Sequence, residues 1–273
     1  MTIRPMKIRP MKIGIAGTGR VAQALGRHVG AQLVAGRSPA HTRAAAEFMG
    51  DAEPVAFAEL VCDRLLIAVS DGAISEVAAL VPTPYIALHT CGAYGAEILR
   101  PLHLAGASCG AIHPLQTFAS PTSGFAALPG SSFAVDGDPE ALAWACQIAD
   151  SLHGAVLRIR SDARALYHAA AVLASNDIVA TLDAAIQILC GIGIPEAEAR
   201  RAVGPIARAA LENTLEKGAE AALTGPVERK DFETVSRHLQ ALNDVPASIH
   251  DLYRAAAMQA LEITLRRDLK AHA

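Results

Sequence analysis

The chain has 273 residues, 19% of them charged, and a formal net charge of -3, which allows one large or two modest domains with proper cores. That balance supplies no basic surface for nucleic acid. The sequence suggests no apolar run of the roughly 18 residues a membrane span needs and no secretory signal at its start, so a cytoplasmic protein without membrane partners is expected.

In chain order, Ile3 to Lys12 is a direct duplication of IRPMK. It has no fold logic: residues 1–11 are expected to form a disordered tail, and Met6 and Met11 are both candidate translation starts. The segment KIGIAGTGRVAQALG, Lys12 to Gly26, then reads as a buried strand, a glycine turn and an immediate helix. A dinucleotide diphosphate needs that order. Gly17 permits the tight turn, Gly19 lets the backbone approach the phosphates, and Ala22 is the third small residue, where helix and strand pack closely. The first helical N–H groups, with Thr18, Arg20 and Val21 around them, face the anion.

Apolar strands follow at AQLVAG, PVAF, RLLIAV, YIALH and SCGAI, separated by Ala-rich segments of helical length such as His41 to Met49 and Gly72 to Leu80. Continuous apolar strands alternating with helices predict a parallel sheet covered on both faces. SFAVDGD and GAVLRI, around a helix from Pro139 to His153, add a last β-α-β unit. From Ser161 the character changes to long Ala/Leu-rich segments: Asp162 to Cys190, Pro195 to Lys217, Asp231 to Leu242 and Ala247 to His272. Pro195 suits a first helical turn. The expected fold is therefore α/β, a Rossmann-like doubly wound parallel sheet over residues 1–160, followed by an all-α domain over residues 161–273.

The end of the second strand discriminates between cofactors. An NAD site places Asp or Glu about 20 residues after the glycines, on the ribose 2′-hydroxyl. Here the position reads Gly36-Arg37-Ser38, with Arg43 beyond. Arg37 and Ser38 would bind a 2′-phosphate through charge-assisted hydrogen bonds, so NADP(H) is read in preference to NAD(H), with FAD behind both. A solvated loop arginine is the bland alternative. Later strand ends should also face the ligand: Val69 and Ser70 after the fourth, Thr90 after the fifth, His113 and Gln116 after the sixth. Asp71 reads as a helix cap. Of the two histidines that leave adjacent strands, His89 and His113, the second is the better functional candidate, set with Gln116 and Thr117 in a Pro-fixed turn. The five cysteines are scattered without a C-x-x-C pair and read as small buried hydrophobes in a reducing compartment, with no metal site.

HPLQTF at His113 to Phe118, YHAAAVLASN at Tyr167 to Asn176, and ALTGPVERKD at Ala222 to Asp231 together resemble a group of bacterial oxidoreductases that pair a Rossmann-like domain with a helical domain of unknown function. The group is similar in plan to pyrroline-5-carboxylate reductase, ketopantoate reductase and the 6-phosphogluconate dehydrogenase-like β-hydroxyacid dehydrogenases. The resemblance implies an NADP(H) site between the two domains, a small-molecule substrate, and a homodimer formed through the helical domain. Two departures stand out. Relatives carry a proton-donating Lys four residues before the Asn that matches Asn176, and here that position is Val172. Lys230 replaces a glycine in the third motif.

Reducing C=O or C=N needs the hydride carbon within about 3–3.5 Å of its acceptor and a proton for the heteroatom. His168 is the first candidate acid and His113 the second, because imidazole titrates near neutral pH. Asn176, expected to be buried in mid-helix about 12 Å along the axis from His168, and Ser175 would orient the substrate. Thr224 and Arg229 are further substrate candidates, Arg229 as a bidentate carboxylate ligand; the bland readings are a turn at Thr224 and a solvated pair or helix cap at Arg229 and Asp231. The expected activity is NADPH-dependent reduction of a small, anionic carbonyl or imine compound, a ketopantoate-like 2-oxo acid being the first candidate. A non-catalytic NADP-binding sensor is the main alternative, and a nucleotide-sugar or SAM enzyme the third reading.

Overall fold

The computed structural model describes residues 11–50 and 52–272; most of the duplicated tail lies outside them. Internal contacts divide the chain between Val172 and Leu173, later than the composition change at Ser161. The first unit contains, in order, β1 Ile13–Ala16, α1 Arg20–His28, β2 Leu33–Ala35, α2 Pro39–Met49, β3 Glu53–Val55, β4 Arg64–Ile67, α3 Ile74–Leu80, β5 Ile86–His89, α4 Arg100–Leu104, β6 Ser108–Leu115, α5 Pro121–Ala127, β7 Ser132–Gly137, α6 Pro139–Ser151, β8 Ala155–Arg158 and all but the last residue of α7 Arg164–Leu173.

The eight strands form one sheet in the order β3-β2-β1-β4-β5-β6-β7-β8. Strand period decides its two faces. Ile15, Val34, Leu66, Leu88 and Ile112 pack on one side, while their neighbours Ala16, Leu33, Ala35, Leu65, Ile67 and Ala87 pack on the other. Each central strand therefore has no polar face, which is why the strands read as unbroken apolar runs. All pairs are parallel except β6 with β7, a departure from the all-parallel expectation. The β6–β7 connection holds only the seven-residue α5, and an antiparallel return needs no long crossover.

His113 and Pro114 also differ from expectation, because they lie inside β6 rather than in a turn after it. Pairing with β5 ends at His89 opposite Ala111, while pairing with β7 continues to Leu115. Beyond Ala111 one edge of β6 is free, where a proline without an N–H is tolerated.

The second unit contains α8 Asn176–Gly191, α9 Glu196–Lys217, α10 Ala219–Ala222, α11 Phe232–Ala241 and α12 Ala247–Ala271. Pro195 stands one residue before α9, as its N-cap. The single helix expected over Asp162–Cys190 is broken: α7 stops at Leu173, and Ser175 (φ -136°, ψ -77°) N-caps α8. Ser-Asn-Asp is a helix-starting triplet whose side chains compete for backbone hydrogen bonds. Asn176 is consequently the exposed first residue of a helix, not a buried mid-helix amide, and the spacing computed along one continuous axis does not apply. The expectation that no apolar run is long enough for a membrane span also needs correction. The helical stretch Ser161–Gly191 is long and apolar enough to cross a membrane by length and composition, and 6% of its most apolar window is buried.

Candidate functional site

The strand order reverses on either side of β1, whose neighbours are β2 and β4. Ligands of open α/β sheets bind outside the carboxyl ends of strands at such a point. A groove of about 700 Å³ lies there, lined by Gly17 to Val21 after β1, Gly36 and Arg37 after β2, Ala68 to Asp71 after β4, Thr90 and Cys91 after β5, and Phe118 after β6. Its volume is in the range of small-molecule and cofactor sites.

Gly17 has φ +131°, and a Cβ there would stand 2.2 Å from the Ala68 carbonyl oxygen. Its own N–H donates to the Ala35 carbonyl at 2.8 Å. The turn is thus wedged between β2 and β4, and only glycine fits. Gly19 is different: φ is -73°, and no atom lies within 4 Å of where its Cβ would be. It is the N-cap of α1 and supplies no side-chain cap, so the first-turn N–H groups are free to meet an anion. Arg20 lines the groove and donates from Nη1 to the Phe118 carbonyl at 3.2 Å. Arg37 lines it exposed and, among the described residues, without a side-chain partner. Ser38 does not line it; its hydroxyl accepts from the His41 N–H at 3.4 Å and caps α2. Val69, Ser70 and Thr90 line the groove. Asp71 caps no helix. It faces the groove; burial first, and Asp71 after it, push the Cys91 thiol up to about 11.

Beyond Cys91 the chain reaches Gly92, and two imidazoles stand over it. A Cβ at Gly92 would lie 2.5 Å from His168 Nδ1 and 2.9 Å from His113 Nε2. The rings meet edge to face, centroids 5.5 Å apart. The other nitrogen of His113, Nδ1, is 2.8 Å from the Tyr167 hydroxyl. His113 is held at about pKa 4, first by burial, then by the charges of His168 and Arg164; at neutral pH it is uncharged. Burial raises the Tyr167 phenol, opposed by Arg164. His168 Nδ1 is buried and, among the described residues, without a hydrogen-bond partner.

Arg164, at the start of α7, is fully buried. Its Nη2 stands 3.2 Å from Asp136 Oδ1, an ion pair without hydrogen-bond geometry, since Oδ1 has no hydrogen-bond partner among the described residues. Asp136 Oδ2 accepts from the Ser161 hydroxyl at 3.0 Å. Burial raises the Asp136 carboxyl, and Arg164 opposes that. Sequence reasoning missed Tyr167 and Arg164. Tyr167 was within view, one residue before His168; nothing marks Arg164 as buried.

His89 belongs to the core. Its Nε2 pairs with the Gly95 carbonyl at 2.9 Å and its Nδ1 accepts from the Cys91 N–H at 3.2 Å. Gln116 uses its amide on the Ala127 carbonyl and the Ser131 hydroxyl, tying the end of β6 to the segment before β7. Among the described residues no group of His, Cys, Asp and Glu is placed to hold a metal.

Asn176, Ser175, Thr224 and Arg229 belong to the second unit. Ser175 Oγ donates to Asn176 Oδ1 at 3.3 Å. Arg229 is exposed, and Asp231 caps α11 by accepting from the Thr234 N–H at 3.1 Å. Lys230 has φ +59°, which accounts for the glycine expected there, and its Nζ pairs with Asp268 at 2.9 Å.

No curated protein matches the chain. Among solved structures, a protein from Thermotoga maritima is 23% identical, with 94% of this chain and 99% of that one covered at a TM-score of 0.76. A Bacteroides fragilis protein provisionally named an NADP oxidoreductase is 22% identical, with 92% and 98% covered and a TM-score of 0.76. The pyrroline carboxylate reductase of Plasmodium falciparum, solved with NADP bound, is 14% identical, with 93% and 98% covered and a TM-score of 0.61. These likenesses are of fold. Family models match residues 2–114 as a Rossmann-like domain and residues 131–260 as a domain of unknown function, DUF2520. The chain thus joins a segment matched by the Rossmann-like model to one matched by the DUF2520 model.

Proposed function

We propose that the protein is an NADPH-dependent oxidoreductase that reduces a small, anionic carbonyl or imine compound. The observation that carries this is Gly19: the folded protein leaves its Cβ position empty, so the residue answers to a ligand rather than to packing. A diphosphate against the first turn of α1 fits that space, and unpaired Arg37 at the groove fits a 2′-phosphate. The bound dinucleotide would supply the hydride. The NADP complex of the Plasmodium relative supports the same reading.

His113 and His168, over Gly92, follow directly on the groove residues Thr90 and Cys91. His113, neutral at pH 7, can donate or accept a hydrogen bond but holds too little imidazolium to serve as the acid. The proton donor is therefore His168. Asn176, Ser175 and Thr224 are the candidate substrate-orienting residues, and exposed Arg229 is the candidate ligand for a substrate carboxylate. A ketopantoate-like 2-oxo acid is the first substrate to try.

The second unit self-associates in this reading. Its α8 is apolar yet buries only Ala184, and Leu173 and Val179 are 65% and 68% exposed. A homodimer would cover that surface. The five free cysteines support a reducing compartment.

Calorimetry with NADPH and NADH tests the cofactor, and NADPH oxidation followed at 340 nm across 2-oxo acids and cyclic imines tests the reaction. Preference for NADPH, with turnover on one panel member that His168→Ala abolishes, supports the proposal. Absence of binding to either coenzyme refutes it. Tight NADPH binding without turnover favours a cofactor sensor, the second reading, kept in view by Val172 at the position of the relatives' lysine.

A further inference from the structure

Tyr167 is half-buried, and its hydroxyl has one partner among the described residues, His113 Nδ1 at 2.8 Å. The two groups share one proton between them in one of two ways. Were Nδ1 the donor, the phenol O–H would be left without an acceptor among the described residues. With the phenol donating, its O–H and His113 Nδ1 are both satisfied, and imidazole nitrogen is the better acceptor. A neutral imidazole that accepts at Nδ1 carries its proton on Nε2. Among the described residues that nitrogen has no hydrogen-bond partner, and it faces the space over Gly92, where His168 Nδ1 also stands. The ring planes of Tyr167 and His113 are nearly perpendicular, at 85°, so the phenol meets the imidazole by its hydroxyl rather than by stacking.

We propose that Tyr167 is a positioning residue that locks His113 in the Nε2–H tautomer and so aims one neutral N–H donor at the end of the groove. There the donor would polarise the substrate's oxygen or nitrogen while His168 supplies the proton. A neutral imidazole suits this task, because an imidazolium would compete with His168 to protonate the heteroatom. The charged and titratable groups acting on His113 are His168, Arg164, Asp71 and His89, with Tyr167 in contact. Burial, Arg164 and the two other imidazoles disfavour the charged imidazolium, and Asp71 favours it. The locking stands on the hydrogen bond itself; its catalytic use rests on the reductase reading above.

The test is nitrogen-15 NMR of uniformly labelled protein at pH 7, with Tyr167→Phe beside it. In the wild type, His113 should show one tautomer with the proton on Nε2, and in Tyr167→Phe a mixture of both. If turnover is established, Tyr167→Phe should lower kcat roughly tenfold, the worth of one hydrogen bond, with the KM for NADPH unchanged. A wild-type His113 protonated on Nδ1, or a tautomer ratio unmoved by Tyr167→Phe, overturns the proposal. The wild-type spectrum decides even if the variant fails to fold. A locked tautomer in a protein that binds no NADPH would sustain the tautomer and defeat the reductase reading instead. A shifted tautomer ratio with unaltered kcat would leave the lock but remove its catalytic use.

Discussion

Acid should unfold this protein through two buried imidazoles before most of its carboxylates are protonated. His89 is 0% exposed, and both its nitrogens are satisfied in the neutral state, Nε2 by the Gly95 carbonyl and Nδ1 by the Cys91 N–H. A second proton would take Nδ1 away from that N–H and put a charge in the core. Burial holds its pKa at about 4, with the Arg164 charge adding to the effect, and His113 stands at about 4 for the same leading reason. The unfolded value is near 6.5. Both pKa values are depressed on folding, so the unfolded chain binds more protons between pH 4 and 6.5 and stability falls as pH falls through that window. Above pH 6.5 the contribution is fully present. At pH 5 each histidine should have cost about 2 kcal/mol, rising to about 3 kcal/mol at pH 4. Together they remove about 4 kcal/mol at pH 5, or roughly 8–16 °C of Tm for a chain of this size. Urea denaturation from pH 7.5 to 4.5 measures this. His89→Gln and His113→Gln, although destabilised at pH 7, should each flatten the acid limb by about half. Stability level between pH 7 and 5, or His113 ring protons titrating near 6.5, would refute the argument.

The two glycines of the first turn should separate cleanly. Gly17→Ala drives a methyl onto the Ala68 carbonyl at positive φ and should cost about 3 kcal/mol or more in urea denaturation. Gly19→Ala should leave that curve in place while weakening NADPH binding at least about tenfold by calorimetry. Arg37→Glu should weaken NADPH about 10- to 100-fold, the worth of charged hydrogen bonds, and leave NADH nearly unaffected; an equal loss for both coenzymes would remove Arg37 from the 2′-phosphate. Val179→Asp, on exposed α8, should shift the protein from dimer to monomer in sedimentation velocity, and a wild type that sediments as a monomer would dispose of the self-association.

What could be read without coordinates follows from the range of the interaction. Strands buried on both faces announce themselves in consecutive residues, so the central strands were legible; the edge strands β3 and β8 are largely exposed and carry no such signal. The orientation of β7 was not, because antiparallel and parallel returns bury the same side chains. Lys230 showed a local constraint through its identity: a glycine was expected, and φ +59° is the reason. The His113–Tyr167 contact joins residues 54 apart in sequence, and the burial of Arg164 beneath the sheet's end depends on Asp136 and the Ala134 carbonyl. No periodicity records such a meeting. Asn176 was misread because composition carried an apolar pattern straight through a helix start, although Ser175, Asn176 and Asp177 spell one.

The glycine turn marks how far a motif alone can be trusted. Gly17 and Gly19 look equivalent in sequence, two small residues in one fingerprint. In the fold they answer different questions. Gly17 is required by Ala68 and by its own backbone angle, and any tight β-α turn of this shape would require it, ligand or not. Gly19 is required by nothing within 4 Å. A glycine that a turn needs says only that there is a turn. A glycine that neither packing nor φ needs, at the mouth of a groove and before the free N–H groups of a helix, is the one that implies an anion.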